Sequence, residues 1–521
     1  MVVIDSGAVD CWSVAMSLTV LDLFDRSTSK IHTSSGSVSA GALADEGRRL
    51  AADWEAMGVA AGDRIAVYAD NSLAYLRCIT AAAAGRFVLV SVNRRYAADE
   101  ARRFIERSGA AMIVTDAEPT HFDVGLPIVP TTSITRPAND PTPQAPSPDD
   151  PFVVFATSGT TSEPKMVLHH QRSVAHHAPE AASRIGYDAD DRVLIALPLC
   201  GVFGFNGLTS AVAGNASIWL ADRFEAVSIA DLIEHQWITS MLGTDDMFHR
   251  MLATSADLSS LRVAGYGRFN PSLEDVVERA ETRGARLTGL YGMSEVQALF
   301  SVRDPSEAAD GRARPGGTLS SPTAAFRIVD PERLDAGSFE PLPVGESGEL
   351  LLAGPSLFAG YLADGGSELD EAKTDRAHHD AEGRRWFRTG DLALAEPDGS
   401  MTFITRMGDA LRLGGFLVSP SEIESVVLEC DGITEAVAVS VARPGGVRAA
   451  VAVTADHEPD AEAIIAYCAE RLARFKVPIA VVRVDAFPTT PSANGTKIRV
   501  TELRDLVEST LASSAGRDDA G

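Results

Sequence analysis

The stretch that most constrains this chain runs from Thr157 to Lys165 and reads TSGTTSEPK. It follows an apolar run at 152–156, and β-branched and aromatic residues entering a Gly/Ser/Thr segment predict a strand that feeds a tight loop. Small residues let backbone N–H groups approach an anion, hydroxyls add donors and the lysine adds positive charge. The sequence therefore predicts a phosphate-binding loop. A plain hydrophilic turn has a similar composition, and the GxxxxGK[ST] pattern of a P-loop is absent.

Length and charge limit the class of protein. A chain of 521 residues is too long for one core, so we expect more than one domain. The net charge of −26 argues against a nucleic-acid partner and against an anionic membrane surface. The five cysteines are scattered without a CxxC pair, which is typical of reduced thiols in a cytoplasmic protein. No apolar run reaches membrane-spanning length and the first 16 residues lack the basic start of a signal peptide, so the predicted localisation is cytoplasmic.

Strand-like and helix-like segments alternate along most of the chain. Strands are predicted at 64–68, 87–92, 111–115, 192–197, 216–220, 238–242 and 262–265, and helices at 73–84 and 98–107. Such alternation predicts layered α/β sheets. Residues 345–405 indicate antiparallel strands, with Asp398-Gly399 as a hairpin turn. Helices at 421–429 and 461–474, with strands at 435–441 and 449–454, predict a small α+β domain of ordinary size.

The predicted fold is a large N-terminal α/β domain followed by a small α+β C-terminal domain. The large domain has layered sheets with helices and a small antiparallel β subdomain. The predicted boundaries are 17–405 for the large domain, 406–410 for the short segment between the domains and 411–507 for the small domain. Residues 508–521 are rich in Ser, Ala, Gly and Asp and are predicted to be a disordered tail. Residues 1–16 are predicted to be a disordered extension; the alternative is that translation starts at Met16, after residues 1–15.

Three further strings carry chemistry. The first is YGMSE at 291–295, which opens with a flat aromatic residue and ends in a carboxylate suited to a hard cation. The second is the TGD triplet that ends at Asp391, followed by Arg406, Asp409 and Arg412. The third is a Pro/Asn/Gly loop that begins at 491 and ends in Lys497. Alone, each string is equally typical of a helix entry, a charged turn or a solvated surface loop.

In this order and spacing, the strings resemble the adenylate-forming, or AMP-binding, superfamily over about residues 17–506, and its acyl-CoA synthetases and fatty-acid–CoA ligases in particular. The resemblance implies that ATP is bound by Thr157, Ser158, Gly159, Thr160, Thr161, Lys165, Tyr291, Gly292, Ser294, Asp391 and Arg406. It implies that Glu295 holds Mg²⁺, that Asp391 binds the ribose and that Lys497 is catalytic.

The same resemblance implies a hinge at Asp409, a role for Arg412 in thioester formation and an acyl pocket. The residues implied for that pocket are Gly201, Phe203, Asp245, Gly265 and Tyr266. The chain departs from the family pattern at several of these positions. It has Arg412 where lysine is common, Gly201 where histidine or an aromatic is common, and Thr496 between the glycine and Lys497.

The implied reaction joins a small-molecule carboxylic acid to AMP, using ATP and Mg²⁺, and then transfers the acyl group to coenzyme A. Other readings stay open at this stage: transfer to an acyl carrier protein or an amine, a luciferase-like oxygenase, or a non-catalytic acyl-nucleotide sensor. The presence of Glu295, Asp391, Arg406 and Lys497 argues against the sensor. The acid itself is not identified by the sequence.

Overall fold

The structure is a computed structural model that describes residues 18–117, 125–134, 145–157, 164–269, 273, 275–365, 368–407, 411–413, 416–443, 446–472, 474, 476–492 and 495–518. Within that part of the chain the strands are β1 (Lys30–Thr33), β2 (Gly36–Ser39), β3 (Arg64–Tyr68), β4 (Val88–Ser91), β5 (Met112–Thr115), β6 (Ile128–Pro130), β7 (Pro151–Thr157), β8 (Lys165–His170), β9 (Arg192–Ile195), β10 (Ser217–Leu220), β11 (Ser240–Thr244), β12 (Val263–Gly267), β13 (Leu287–Tyr291), β14 (Ser301–Val302), β15 (Gly316–Leu319), β16 (Ala325–Val329), β17 (Ser347–Ala353), β18 (Gly360–Tyr361), β19 (His378–Ala381), β20 (Arg384–Ala395), β21 (Met401–Arg406), β22 (Leu411–Leu413), β23 (Phe416–Val418), β24 (Ile433–Arg443), β25 (Gly446–Ala455), β26 (Val481–Arg483), β27 (Thr489–Ser492) and β28 (Gly495–Ile498).

The helices follow the same chain order. They are α1 (Val20–Arg26), α2 (Ala40–Ala56), α3 (Leu73–Gly85), α4 (Ala98–Ser108), α5 (Gln171–Ile185), α6 (Val202–Ala213), α7 (Ala226–Gln236), α8 (Asp245–Leu252), α9 (Val276–Thr282), α10 (Ala309–Ala313), α11 (Pro331–Asp335), α12 (Glu371–Arg376), α13 (Pro420–Leu428), α14 (Ala461–Arg471) and α15 (Val500–Asp518). None of the helices in the described ranges is long and apolar enough to cross a membrane.

The longest sheet changes character along its length. Its strand order is β16-β17-β20-β21-β15-β14-β13-β12-β11-β9-β10-β1-β2, with β19 paired to β20. Neighbouring strands are parallel in the segment β13-β12-β11-β9-β10. Neighbouring strands are antiparallel in the segment β16-β17-β20-β21-β15-β14-β13. The predicted combination of an α/β part and an antiparallel part is therefore confirmed. Strand β13, which ends at Tyr291, lies where the two parts join.

A second sheet has the order β18-β8-β7-β4-β3-β5-β6. Strands β7 and β8 form an antiparallel pair in which Thr157 lies opposite Lys165, so the predicted loop leaves and re-enters the sheet between them. The apolar run at 152–156 is buried for most of its length in this sheet, which explains why it is a strand. The loop residues 158–163 lie outside the described part of the chain.

The C-terminal region is a separate set of short elements, as predicted. Strands β24, β25 and β26 form a sheet, and β22–β23 and β27–β28 form antiparallel pairs. One face of the sheet packs with α13 and α14 through residues such as Ile423, Val427 and Ile464. The opposite face buries Val439 and Val482 against α15. The alternation of buried side chains along β24 thus serves two apolar layers.

The prediction of a disordered tail at 508–521 is wrong up to Asp518, because α15 extends from Val500 to Asp518. Leu503, Val507 and Leu511 recur every four residues and pack on the sheet side that contains Val439, so one helical face is buried. Composition misled the prediction, since the Ser/Ala-rich residues continue a helix that these apolar contacts begin. The predicted extension at 1–16 and residues 519–521 lie outside the described residues.

We predict that Leu503→Ala lowers the free energy of unfolding of the C-terminal region by about 2–5 kcal/mol, because it deletes a fully buried leucine. Leu506→Ala is the matched control, since Leu506 lies on the same helix and is 46% exposed. Urea unfolding followed by hydrogen exchange of the C-terminal region measures both. Equal effects of the two substitutions would show that α15 does not pack as described.

Candidate active site

A buried carboxylate lies at the junction of the two parts of the long sheet. Asp391, on β20, is 2% exposed and accepts a hydrogen bond of 2.7 Å from the hydroxyl of Tyr291. The Nε atom of Arg406 lies 3.0 Å from the other carboxylate oxygen. Asp391 and Arg406 are opposite each other in the β20–β21 pair, so backbone register places them together. The structure therefore brings together three residues that the sequence predicted separately.

The strand around Asp391 is held by its own short contacts. The Asp391 backbone N–H donates to the Thr389 hydroxyl at 3.0 Å, and that hydroxyl donates to the carbonyl of Leu350 at 2.7 Å. Burial, with the adjacent Asp391 carboxylate, raises the pKa of Tyr291 well above its ordinary value. Tyr291 therefore stays protonated and keeps its donor role at physiological pH.

A second buried carboxylate lies four residues beyond Tyr291. Glu295 is 6% exposed, lies in the 3₁₀ turn Ser294–Val296 and accepts a 2.9 Å hydrogen bond from the Tyr361 hydroxyl. Tyr361 is on β18, which pairs with β8 so that Tyr361 lies opposite Val167. This pairing connects the second sheet to the turn that carries Glu295.

Two ammonium groups lie over the ring of Tyr361. The Lys165 Nζ atom is 4.9 Å from the ring centroid and the Lys373 Nζ atom is 5.4 Å from it, both within the range of cation–π attraction. Burial lowers the pKa of Lys165, the charge of Glu295 opposes that shift, and the charges of Lys373 and Arg406 add to it. The two carboxylate clusters therefore share one electrostatic environment.

Histidines of β8 and α5 contact the turn at 294–298. The Nε2 atom of His169 donates to the Ser294 carbonyl oxygen at 2.7 Å, since a carbonyl only accepts. Burial lowers the pKa of His169 to about 4 and that of His177, also in this region, to about 3. Both imidazoles are therefore neutral near pH 7. Gln297 and Ala298 have φ values of +60° and +61°, so the chain turns back here through left-handed backbone.

Gly292 faces this reversed backbone at very close range. A Cβ atom at position 292 would lie 1.2 Å from the carbonyl oxygen of Ala298. Backbone atoms cannot move aside as a flexible side chain can, so the site requires glycine. The sequence suggested Gly292 as a nucleotide-binding residue, and the structure adds this steric reason for its identity.

The predicted acyl-pocket residues fall in two groups. Gly201 and Phe203 lie at the start of α6, where a Cβ on Gly201 would meet only the Pro198 carbonyl oxygen, at 3.6 Å. Asp245, Gly265 and Tyr266 lie on or beside the paired strands β11 and β12. These positions are compatible with a pocket wall, and their role stays a prediction.

Asp245 and Tyr266, two buried residues of the predicted acyl pocket, form hydrogen bonds within the chain. Asp245 accepts hydrogen bonds from the backbone N–H groups of Phe269 at 2.7 Å and Asp246 at 2.9 Å. The Tyr266 hydroxyl donates to the Ala313 carbonyl at 2.8 Å. Burial raises the pKa of Tyr266 to about 12, so this donor also stays protonated.

Several predicted site residues are described only in part. Ser158, Gly159, Thr160, Thr161 and Asp409 lie outside the described residues. Arg412 lies on β22 opposite Leu417, and Lys497 lies on β28 opposite Thr490, and for both the strand alone is described. Their proposed roles are therefore neither supported nor contradicted by side-chain geometry.

Sequence reasoning missed Tyr361, Lys373 and His169. Tyr361 stands in an apolar segment and resembles an ordinary core residue. The sequence signal for Lys373 was the scarcity of lysine, of which the chain has 5. No comparable signal distinguishes His169 from the other histidines near it.

The described residues contain no cluster of three or more His, Cys, Asp or Glu side chains that could hold a metal ion on their own. Glu295 is a single buried carboxylate beside cationic groups. This donor set fits Mg²⁺, which is commonly bound by one or two carboxylates together with phosphate oxygens and water.

Comparisons with known proteins agree with this geometry. The sequence profile of the AMP-binding enzyme family matches residues 26–362, and that of the AMP-binding enzyme C-terminal domain matches residues 422–494. The chain is 29% identical over 461 residues to feruloyl-CoA synthase from Amycolatopsis sp., covering 85% of this chain and 89% of the relative. It is 28% identical over 491 residues to a fatty acid–[acyl-carrier-protein] ligase from Streptomyces coeruleorubidus, covering 88% and 90%.

Among solved structures, the fold is similar to that of O-succinylbenzoate coenzyme A synthetase from Bacillus subtilis in complex with ATP and magnesium ion. The TM-score is 0.79 at 21% sequence identity, and the match covers 92% of this chain and 98% of the other. At this identity the match supports the fold alone.

We predict that Gly292→Ala lowers the free energy of unfolding by about 1–3 kcal/mol or more, because its methyl group would overlap the Ala298 carbonyl. Gly201→Ala, whose methyl group has room, should change it by less than about 0.5 kcal/mol. Thermal melting of both purified variants measures the difference. Similar melting temperatures for the two would contradict the close approach at Gly292.

We also predict that the free energy of unfolding falls as the pH drops from about 6.5 towards 4. His169 and His177 have pKa values lowered to about 4 and about 3 when folded, so in this range the unfolded chain binds protons that the folded chain does not. Each histidine adds a slope of up to about 1.4 kcal/mol per pH unit.

Urea unfolding at several pH values tests this in wild type and in His177→Gln, which should show a shallower slope. His235→Gln is the matched control, because His235 is exposed on α7. An unchanged slope in His177→Gln would mean that His177 is not neutral and buried in the folded chain.

Proposed function

The chain belongs to the AMP-binding enzyme family, and from that premise we propose that it is an AMP-forming acid–thiol ligase. It activates a carboxylic acid with ATP, releases pyrophosphate and transfers the acyl group from the adenylate to the thiol of coenzyme A. The observation that carries the proposal is the site itself: Asp391 is paired with Tyr291 and Arg406, and the buried Glu295 lies four residues beyond Tyr291. A nucleotide needs a diol acceptor and a metal ligand at close quarters, and these two carboxylates suit both tasks.

In the first half-reaction, a carboxylate oxygen of the acid attacks the α-phosphorus of ATP. The bond from that phosphorus to the bridging oxygen breaks in line, and pyrophosphate leaves. The protein contributes positioning and positive charge and forms no covalent intermediate. The predicted loop from Thr157 to Lys165 binds the phosphates, and Lys497 stabilises the charge that develops on the α-phosphate.

Asp391 accepts hydrogen bonds from the ribose hydroxyls in this proposal. Its carboxylate is already oriented by the Tyr291 hydroxyl and lies 3.0 Å from the Arg406 Nε atom. The ring of Tyr291 packs beside Phe403, with centroids 5.5 Å apart. In this proposal adenine packs on the part of the Tyr291 ring that Phe403 leaves uncovered. Gly292 and Ser294 continue the backbone along the nucleotide.

Mg²⁺ would be held by Glu295 together with phosphate oxygens, and it supplies positive charge that offsets the charge on the phosphates. Tyr361 fixes the orientation of the Glu295 carboxylate through its hydroxyl. His169 fixes the backbone of the same turn through the Ser294 carbonyl. These are positioning roles for residues of this chain.

In the second half-reaction, the thiol sulfur of coenzyme A attacks the acyl carbon and loses its proton. The acyl–oxygen bond to the phosphate breaks and AMP leaves. We propose that the C-terminal domain rotates at Asp409 between the halves, which withdraws Lys497 and brings Arg412 to the thiol. Arg412 stays charged and can orient a phosphate of coenzyme A.

Coenzyme A is the preferred acceptor because acyl-CoA ligases are prominent among the relatives, which include indoleacetate–CoA ligase and 2-succinylbenzoate–CoA ligase. An acyl carrier protein is the alternative acceptor, since one relative is a fatty acid–[acyl-carrier-protein] ligase. The acid is a small aryl or fatty acid, the two classes that these relatives' names contain. We place the enzyme in the cytoplasm, which supplies ATP and coenzyme A.

The test measures both halves on a panel of ferulate, indoleacetate, 2-succinylbenzoate and fatty acids. Acid-dependent exchange of pyrophosphate into ATP reports the first half, and release of AMP from preformed adenylate on addition of coenzyme A reports the second. Lys497→Ala should lose about 10²–10³ of the exchange rate while ATP still binds. Lys30→Ala, at an exposed position on β1, is the control.

Failure of every acid to drive exchange would contradict adenylation. Exchange that is normal in Lys497→Ala would remove that lysine from the mechanism. Adenylate that persists with coenzyme A, but is consumed when an acyl carrier protein is added, would reassign the acceptor.

A further inference from the structure

Lys373 lies at the candidate site in a fixed position. It belongs to the short helix α12, where its backbone N–H donates to the side chain of Asp370 at 3.0 Å. Its ammonium group lies 5.4 Å from the centre of the Tyr361 ring, and Lys165 lies 4.9 Å from the same centre. The Tyr361 backbone N–H donates to the hydroxyl of Thr374, the next residue, at 3.0 Å. The helix is thus tied to the strand that carries Tyr361.

Two ammonium groups that share one ring repel each other. The positive charge of Lys373 is one of the causes that lower the pKa of Lys165, as expected for electrostatic repulsion between two nearby ammonium groups. A cation–π contact offsets only part of that repulsion. A polyvalent anion beside both ammonium groups would attract each of them and so offset their mutual repulsion. The two groups are close together although the net charge of the chain is −26.

The position of Lys373 within the site indicates which part of the ligand it meets. Arg406 is paired with Asp391, at the end proposed for the nucleoside. Lys373 and Lys165 lie over the same Tyr361 ring, and Lys165 begins the strand after the predicted phosphate loop. Lysine also suits a flexible phosphate tail, because its compact charge carries three donors that rotate freely.

We propose that Lys373 is a further binding residue for the β- and γ-phosphates of ATP, and for the pyrophosphate that they become. The proposal rests on the function proposed above, and it assigns a role to a residue outside the motifs that carry the family resemblance. In this proposal Lys165 and Lys373 both bind the leaving group, and Tyr361 lies within cation–π range of both ammonium groups and donates a hydrogen bond to Glu295. Lys373 does not contact the AMP part of the ligand.

The test is calorimetric binding to the full chain with Mg²⁺ present, using α,β-methylene-ATP, pyrophosphate and AMP as ligands. Lys373→Met keeps the length of the side chain and removes its charge. It should weaken α,β-methylene-ATP and pyrophosphate about tenfold, as expected for one charged hydrogen bond, and change AMP less than twofold. Lys373→Arg keeps the charge and should stay within about threefold of wild type for all three ligands.

Lys30→Met is the matched control, since it removes a lysine from an exposed strand and should leave all three affinities unchanged. Lys373→Gln repeats the test with a polar side chain if the Met variant proves unstable, and thermal melting confirms that each variant is folded.

Equal weakening of α,β-methylene-ATP and AMP in the Lys373 variants would overturn the proposal, because it would mean a purely structural contact with Tyr361. Unchanged affinities for α,β-methylene-ATP and pyrophosphate in Lys373→Met would also overturn it. A wild-type chain that bound AMP but no triphosphate would reject the proposed function together with this role.

Discussion

Two buried tyrosine–carboxylate hydrogen bonds hold the site together. Tyr291 donates to Asp391, which joins the last strand of the parallel part of the long sheet to the antiparallel part. Tyr361 donates to Glu295, which joins the second sheet to the turn after Tyr291. A buried carboxylate without a partner would be costly, so each bond stabilises the interface that it crosses. The parallel part of the long sheet, its antiparallel part and the second sheet are therefore connected through Asp391 and Glu295.

The same arrangement explains how an acidic protein can bind a more acidic ligand. The chain carries a net charge of −26, yet Lys165, Lys373 and Arg406 are gathered around Tyr361 and Asp391. Electrostatic interactions between partly buried groups are screened less by salt and water than those between exposed surface charges. The local sign of the charge, and not the total, decides what binds.

The sequence predicted most of the fold class and the order of the site residues. Tyr291, Glu295, Asp391 and Arg406 were predicted as site residues because each stands in a short string with its own chemistry. Tyr361 was not, because its role depends on the pairing of β18 with β8 and on a partner 66 residues away. The prediction of a disordered tail was wrong for a related reason. Helix α15 is stabilised by contacts with a strand that is distant in the sequence, and amino-acid composition does not reveal such contacts.

The backbone at Gln297 and Ala298 has a consequence for heating. Two consecutive residues with side chains adopt φ near +60°, a conformation that costs each about 1–3 kcal/mol unless its surroundings enforce it. The surroundings here are the Gly292 backbone and the Met293 carbonyl, which accepts from the N–H groups of Val296 and Ala298. Warming loosens such local contacts before the whole domain unfolds. We therefore expect catalytic inactivation to begin at a lower temperature than global melting, with the turn that presents Glu295 as the first part of the site to relax.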